Sequence, residues 1–373
     1  LLTLTKASID LRSGDKDKRL AAIRALAQSD TGATKTLLLQ VLERKGGAYV
    51  EQDPQVRAEA QRSLSEVERR LAIGDIAARV FSGVSLGTIL LLAALGLAIT
   101  YGLMGVINMA HGELIMIGAY ATYVVQNLFR QQWPGAFDFY PLVAVPAAFA
   151  VSAGVGVVLE RTVIRHLYGR PLETLLATWG LSLILIQTVR TLFGAQNVQV
   201  ENPSWMSGGF EIMTNVVLPW SRVVIIAFAA SVLLAVWLLL TRTRLGLYVR
   251  AVTQNRSMAS ALGVRTPNVD MMAFGLGSGI AGLAGCALSQ IGNVGPDLGQ
   301  NYIVDSFMVV VLGGVGQLAG TVYAALGLGI VNKFLEAWQG AVLAKIAVLV
   351  FIIIFIQKRP QGLFALKGRT VEA

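Results

Sequence analysis

The sequence predicts an all-α fold: a polytopic transmembrane helical protein with broken or re-entrant helices, preceded by a small helical soluble domain. Three observations lead to this prediction. The chain is 54% hydrophobic and only 14% charged, whereas soluble domains contain about 25% charged residues. Its apolar stretches recur along almost the whole chain beyond residue 75. Its 39 glycines suit closely packed membrane helices, because small residues allow backbones to approach.

Residues 1–75 carry helical periodicity in a polar context, so they are predicted to form a small helical domain. Residues 15–27, 34–42 and 55–71 each place apolar side chains on one stripe. Pairs of such helices resemble HEAT-like repeats, although fewer than two full units are present. The domain is expected either to dock a partner or to act as a polar cap.

Residues 76–373 form the predicted transmembrane domain. Most of its apolar segments reach the roughly 20 residues needed to cross about 30 Å of hydrocarbon. Their approximate cores are 81–100, 113–129, 141–159, 173–193, 219–240, 268–291, 304–331 and 340–357.

A polar, glycine-rich stretch lies between the first two of these segments. Asn108, His111, Gly112 and Glu113 lie there between apolar runs. Ionisable groups inside a membrane segment indicate a functional site by default, so these four residues are the candidate solute pathway. Two alternatives stay open at this stage. The stretch could be a cytoplasmic turn between ordinary spans, or His111 and Glu113 could be a structural pair that holds the helix break.

Basic residues in the short loops predict the orientation of the chain. Loops 160–170 and 241–267 are rich in arginine, and the tail after residue 356 is also basic, so all three are expected to be cytoplasmic. Loops 194–218 and 292–305 contain acids without lysine or arginine and are expected to face outward. Counting back from loop 160–170 then places residues 1–75 outside the membrane and the C-terminus inside.

This counting works only if segment 304–331 enters and leaves the membrane on one side. The run 312–320 contains Gly313, Gly314 and Gly316, and glycine permits a tight turn within the membrane. We therefore predict a re-entrant hairpin there. Together with the break near residues 102–112 it would form a symmetric pair of broken helices, a pattern that marks midplane solute pathways.

The basic loop at 250–263 is predicted to be a short amphipathic helix that docks in a groove of a partner. Arg250, Asn255, Met258, Ala259, Leu262 and Gly263 are its candidate contact residues. Its apolar stripe includes Ala251, and a solvated basic loop is the alternative.

Several function classes find no support in the sequence. A phosphate-binding Gly-x-x-x-x-Gly-Lys-[Ser/Thr] loop is missing, so ATP and its magnesium are expected on partner subunits, and no cofactor is expected here. Two histidines and one cysteine do not predict a metal site or a disulfide framework. The net charge of +9 follows the membrane loops and does not indicate nucleic acid binding. No catalytic residues are assigned.

The run TYGLMGVINMAHGELIMIGAY at 100–120 resembles the signature of permease subunits of the branched-chain amino acid and urea class of ATP-binding-cassette (ABC) importers. The turn at 312–316 and the loop at 250–263 match the same class. The resemblance covers residues 80–373. Within the class, residues 199–210 and 357–364 look like the B-type permease subunit of urea transporters.

The resemblance implies a set of partners and a location. These are a second permease subunit, two cytoplasmic ATPases, a periplasmic urea-binding protein and the lipid of the bacterial inner membrane. It also implies a periplasmic position for residues 1–75, because longer members of that subunit carry an N-terminal extension after a secretory signal.

We therefore expect a permease subunit for urea uptake driven by ATP hydrolysis on the partners. A permease for branched-chain amino acids or short-chain amides is the alternative. A membrane enzyme that uses His111 and Glu113 as an acid–base pair would also need a nucleophile and a positioning group, and no spacing in the sequence supplies them. A facilitator without ATPases is a third possibility, which co-purification of ATPase subunits would exclude.

Overall fold

The computed structural model describes residues 2–29, 31–45, 48–105, 107–213 and 216–364. The tail predicted to be cytoplasmic has basic residues beyond position 364, and these lie outside the described part. The chain divides into two compact units. The first comprises residues 1–81 together with 208–219, and the second comprises residues 82–207 and 220–373. The domain boundary predicted from the sequence is residue 75, whereas the first unit extends to residue 81 and also includes residues 208–219.

The first unit is mainly helical. Its elements are α1 (Leu2–Asp10), α2 (Lys16–Ala27), α3 (Gly32–Val41), the beginning of α4 (Pro54–Met104), and two short antiparallel pairs, β1 (Arg44–Lys45) with β2 (Ala48–Tyr49) and β3 (Gly209–Met213) with β4 (Val216–Pro219). The predicted apolar stripes form its core, in which Ile23, Leu26, Leu38 and Val56 are fully buried. Helix α2 begins where the Asp15 side chain accepts a hydrogen bond from the Asp17 amide at 3.0 Å.

Helix α4 differs from its predicted extent. The helix predicted over 55–71 does not end at Leu71 but continues without interruption to Met104. No proline follows Pro54 within these 51 residues, so the backbone meets no obligatory break. The change from polar to apolar residues near position 80 therefore marks a change of surroundings and not the end of a helix.

The second unit contains the membrane helices. After α4 these are α5 (His111–Gln132), α6 (Tyr140–Thr162), α7 (Pro171–Phe193), α8 (Trp220–Arg242), α9 (Arg244–Gln254), α10 (Arg256–Ala261), α11 (Thr266–Ser289), α12 (Leu298–Gly313), α13 (Leu318–Gln339) and α14 (Ala341–Lys358). Short 3₁₀ turns occupy Pro134–Phe139, Ile164–His166 and Ser204–Met206.

Within the described residues, seven helices are long and apolar enough to cross a membrane. They are the helices that contain α4, α6, α7, α8, α11, α13 and α14. Helix α5 is not among them because residues such as His111, Glu113 and Gln126 lower its hydropathy. All three are buried inside the chain, so lipid does not meet them. The fold is thus the predicted all-α polytopic one.

Helix α11 is the centre of this unit. Almost every residue from Ala273 to Ser289 is buried, and α5 and α6 pack along it. Small residues make the close approach possible. A Cβ on Gly118 would lie 2.6 Å from the carbonyl carbon of Gly282, so α5 and α11 touch through their backbones. The Ser152 hydroxyl of α6 donates to the Leu114 carbonyl at 3.0 Å in the same region. Glycine is therefore used here for packing.

Candidate functional site: two half-helices and a polar cluster

The predicted helix break after α4 is present. Helix α4 ends at Met104, Gly105 has a φ of 65°, and α5 begins at His111. The His111 Nε2 atom lies 3.0 Å from the carbonyl oxygen of Ala93. Roughly 16 Å of helix separates Ala93 from Met104 at 1.5 Å per residue. The chain therefore turns back after Met104, and α5 begins beside the middle of residues 82–104. Helix α5 has 22 residues but starts inside the protein, and we use the name half-helix for a helix with such an interior start.

A second half-helix begins at the same level. Helix α11 ends at Ser289, residues 290–297 follow without helical structure longer than a turn, and α12 begins at Leu298. A Cβ on Gly112 would lie 2.8 Å from the carbonyl carbon of Gly299, so the first turns of α5 and α12 touch. Two helix N-termini thus meet inside the unit, and each is preceded by an irregular segment.

This arrangement corrects the predicted symmetric pair. The partner of the break after α4 is the segment 290–297, and not the glycine turn at 312–320. The second break also contains polar residues, Asn293 and Asp297. The outward loop predicted over residues 292–305 is shorter than expected, because helix α12 already begins within that range, at Leu298.

The glycine turn lies against the end of α4 and not at the first turn of α5, since a Cβ on Gly102 would lie 2.8 Å from the Cα atom of Gly316. Gly314 and Gly316 have φ values of 100° and 78°, and α12 ends at Gly313, so the predicted break itself is present. The amide of Leu363 donates to the Leu312 carbonyl at 2.8 Å. Because residue 363 follows the end of α14 at Lys358, the turn lies near a helix end. The expectation of a turn halfway through the membrane is therefore not met.

The side chains of the three polar candidates are buried and are not hydrogen-bonded to one another. Asn108, His111 and Glu113 are each at most 1% exposed. Glu113 Oε1 accepts a hydrogen bond from the Ser182 hydroxyl at 2.8 Å, and His111 contacts the carbonyl oxygen of Ala93. No hydrogen bond joins His111 to Glu113 within the described residues, so the alternative of a mutual structural pair is not formed. Within the same residues, Asn108 Nδ2, His111 Nδ1 and Glu113 Oε2 are buried without a hydrogen-bond partner.

The sequence reasoning missed a second part of this cluster, on α7. The Thr178 hydroxyl accepts the Met109 amide at 3.1 Å, and Ser182 binds Glu113. Thr174, Thr178 and Ser182 recur at every fourth position of α7, and all three are buried. The other faces of α7 are largely apolar and exposed. A hydroxyl stripe with helical spacing in an apolar span was the signal that could have identified them.

The predicted docking segment is two helices and not one. Asn255 separates α9 from α10 and caps α10, because its side chain accepts the Met258 amide at 2.9 Å. Met258 and Leu262 are exposed at 58% and 79%, but Ala259 is 4% exposed and belongs to the protein's own core. Ala259 is therefore removed from the predicted contact face. Helical periodicity identified an apolar stripe but could not tell which part of it this chain covers itself.

The arginines of this segment also have intramolecular partners. The guanidinium of Arg250 donates to the Leu240 carbonyl at 2.5 Å, where α8 ends. Gly263 follows α10 with a φ of 87°, which ends the helix. The positive charge of the loop therefore also has a structural use.

A cluster of charges links α10 to the end of α4. Arg256 binds both carboxylate oxygens of Asp270, with Nη1 3.4 Å from Oδ1, and its guanidinium lies 5.0 Å from the centre of the Tyr168 ring. The Tyr168 hydroxyl donates to Glu160 at 3.1 Å and lies 3.6 Å from the sulfur of Met104. Burial, with the nearby carboxylates of Asp270 and Glu160, raises the pKa of Tyr168. This hydroxyl therefore remains a donor at neutral pH.

A helical membrane protein in which two half-helices meet in the interior has an architecture used by solute permeases. The family of permease components of branched-chain amino acid transport systems matches residues 79–357, and the chain belongs to this family. It is a multi-pass membrane protein of the inner membrane.

Individual relatives agree with this assignment. The chain is 27% identical over 291 residues to the high-affinity branched-chain amino acid transport permease BraD of Pseudomonas aeruginosa, covering 76% of this chain and 94% of BraD. It is 29% identical over 293 residues to LivH of Escherichia coli K12, with the same coverage. The ribose import permease RbsC of that organism is 28% identical over 240 residues, covering 62% of this chain and 69% of RbsC. No solved structure matches significantly. These relatives are transport permeases and not enzymes.

Proposed function

We propose that this chain is one permease subunit of an ATP-driven importer and that the solute passes the meeting point of α5 and α12. One observation carries the proposal: two half-helix N-termini converge where Asn108, His111 and Glu113 have buried polar atoms without partners among the described residues. Helix N-termini attract negative charge and hydrogen-bond acceptors, and half-helices serve this purpose in other transporters. Gly112 and Gly299 allow the two ends to approach.

The solute that we propose first is a branched-chain amino acid. The relatives BraD and LivH are named for that transport. A carboxylate also suits two helix N-termini better than a neutral carbonyl, because it carries a full charge. Urea is the second candidate, and it rests on the likeness of residues 199–210 and 357–364 to the urea-type permease subunit.

The remaining parts of the importer follow from the permease role. They are a second permease subunit, two cytoplasmic ATPases that bind ATP and magnesium, and a periplasmic protein that delivers the solute. This chain itself is proposed to need no cofactor. We place residues 1–75 in the periplasm, because residues 208–219 belong to the same compact unit and come from a loop without lysine or arginine in 194–218. We also place the C-terminus in the cytoplasm. The count of crossings no longer needs a re-entrant turn at 312–320, because α12 begins inside the protein at Leu298 and does not cross the membrane completely.

Uptake into vesicles tests the solute. The complete importer is reconstituted with ATP inside, and labelled leucine and labelled urea are supplied separately. We expect ATP-dependent uptake of leucine. Uptake of urea without leucine would replace the first candidate with the second, and uptake that continues without ATP or ATPase subunits would contradict the importer.

Glu113→Gln tests the polar cluster. We expect the uptake rate to fall on the order of tenfold, which corresponds to about 1.4 kcal/mol. The reason is that an amide replaces the carboxyl group beside the half-helix ends, whose Oε2 has no hydrogen-bond partner among the described residues, while the hydrogen bond from Ser182 can remain. The amount of assembled complex should not change. Uptake and complex yield are measured together, with Glu173→Gln, an exposed carboxylate on α7, as the control. Unchanged uptake by Glu113→Gln would remove Glu113 from the pathway.

Leu262→Glu tests ATPase docking. Leu262 is 79% exposed at the end of α10, and we propose that it inserts into an apolar groove of the ATPase together with Met258. We expect co-purification of the ATPases to fall at least about tenfold, as for the loss of a central apolar contact. Ile9→Glu changes a residue that is also well exposed, at 67%, in the first unit, and should leave co-purification unchanged. Normal co-purification of Leu262→Glu would exclude this docking surface.

A further inference from the structure

A cavity of about 260 Å³ opens among α4, α8, α11, α12 and α13. It lies within the second unit and is separate from the polar cluster of Asn108, His111 and Glu113. Its polar lining residues come from different parts of the chain: Ser85, Arg222, Asn293, Tyr302 and Lys333. Nothing in the permease role described above uses these residues.

The charge of this cavity is positive. Lys333 is paired with Glu336 at 2.7 Å, so its charge is largely compensated. Arg222 is half-buried in the first turn of α8, and within the described residues it forms no ion pair or side-chain hydrogen bond. An arginine guanidinium binds a carboxylate through two parallel hydrogen bonds, and it does so best where water is partly excluded. Arg222 is therefore available to an anion.

A second polar group points to a ligand. Ser85 is fully buried, and its hydroxyl oxygen has no hydrogen-bond partner within the described part of the chain. A buried hydroxyl without a partner costs free energy, and such groups call for a specific explanation. Since Ser85 lines the same cavity as Arg222, a bound molecule with hydrogen-bonding oxygens would satisfy both.

The lining also has an aliphatic part, which we call the aliphatic wall. It is formed by Leu86, Ile89, Leu288 and Ile291. A molecule with a carboxylate for Arg222 and an apolar body of modest size for these side chains fits this lining. Urea has neither a charge for Arg222 nor an apolar body for these side chains. A whole phospholipid is much larger than the cavity.

The position of the cavity connects it to the half-helices. Leu298 lines the cavity and is the first residue of α12, and the next residue, Gly299, touches Gly112. A solute in the cavity would therefore contact the first residue of α12, one residue before the point where the two half-helices meet. The residues that precede α12 in the irregular segment, among them Asn293, also line the cavity.

We propose that this cavity is a binding site for a branched-chain amino acid, with the solute carboxylate on Arg222 and Ser85 and its side chain against the aliphatic wall. The site holds the solute before it reaches the half-helices. This inference rests on the proposed import function and narrows its solute to one that carries a carboxylate.

Binding to the full chain in phosphatidylcholine nanodiscs tests the site without the ATPases. Labelled L-leucine is the probe, and unlabelled L-leucine, L-leucinamide, which lacks the carboxylate, and urea are the competitors. We expect leucine to compete and the other two not to compete. Arg222→Gln should weaken leucine binding on the order of tenfold. Arg242→Gln, at the opposite end of the same helix, should bind leucine normally.

Three results would overturn the site: no leucine binding by the unaltered chain, equal competition by leucinamide, or full binding by Arg222→Gln. If Arg222→Gln instead alters only the binding of phosphatidylglycerol added to the nanodiscs, the site belongs to a lipid headgroup and the proposal also fails. Uptake by the complete importer distinguishes failure of the proposed binding site from failure of the proposed import function. Leucine uptake with an unchanged KM in Arg222→Gln rejects the site but keeps the import function, whereas leucine binding without ATP-dependent leucine uptake rejects the import function.

Discussion

Gly285→Leu is expected to prevent the membrane unit from folding. A Cβ at this position would lie 2.7 Å from the amide nitrogen of Ala119, and closer still to the carbonyl oxygen of Ile115. Both atoms are backbone of α5, so the larger side chain can be accommodated only if α5 moves away from α11. Overpacking a core costs about 1–3 kcal/mol even where side chains can adjust. A collision with backbone should exceed that range and remove most of the folding free energy.

Yield and thermal stability of the detergent-solubilised protein measure this effect. We expect almost no monodisperse Gly285→Leu protein in size-exclusion chromatography. Gly154→Leu is the matched control, since Gly154 is an exposed glycine on α6 and no atom lies within 4 Å of the point that a Cβ would occupy. Its yield and midpoint of thermal unfolding should match those of the unaltered protein. A stable, monodisperse Gly285→Leu protein would show that the contact between α5 and α11 can open.

This glycine packing also determines where the candidate site lies. Gly285 and Gly118 hold α5 against α11, while Gly112 in the first turn of α5 touches Gly299 of α12. The position of the first residue of α5 within the protein is therefore fixed by two contacts, one with α11 and one with α12. Because the polar cluster lies in the first turns of α5, close glycine packing positions His111 and Glu113 without any bond between them.

The sequence predicted the first half-helix because its signal is local. Glycines and ionisable residues interrupt an apolar stretch near residues 102–113, and the break is found there. The second half-helix gave a weaker signal. Residues 292–305 resemble an ordinary polar loop. Helix α12 nevertheless begins at Leu298, and Gly299 in its first turn contacts Gly112, which is far away in the sequence. A contact between distant glycines cannot be read from periodicity.

The docking segment shows the same limit in another form. Spacing placed Met258, Ala259 and Leu262 on one apolar stripe, as a partner-binding helix requires. Only the packed structure separates Ala259, which this chain buries itself, from the two exposed residues. Arginine substitution of Ala259 would therefore disturb the core and could not test docking by itself, whereas Leu262 can be changed without opening the fold.

Removing the guanidinium of Arg256 is expected to destabilise the junction between α10 and α11. Asp270 is fully buried, and Arg256 is its ion-pair partner. Loss of one partner from a buried pair typically costs about 3–5 kcal/mol, because the remaining charge stays in a poorly solvated place. Arg256 is itself 43% exposed, so solvent screening should reduce the cost of Arg256→Gln to about 2 kcal/mol.

Thermal unfolding of the purified protein tests this value. Arg170→Gln removes an arginine from the pair with Glu173, in which both side chains are more than half exposed, and it should change stability by less than about 1 kcal/mol. The double variant Arg256→Gln/Asp270→Asn should recover part of the stability, because no unpaired buried charge remains. If Arg256→Gln is as mild as Arg170→Gln, the Asp270 carboxylate is satisfied without Arg256. If the double variant is no better than the single one, the loss arises from packing against Tyr168 and not from charge. A full effect with recovery would establish that a charge pair holds α10, with its exposed Met258 and Leu262, against α11 and the residues that contact the end of α4.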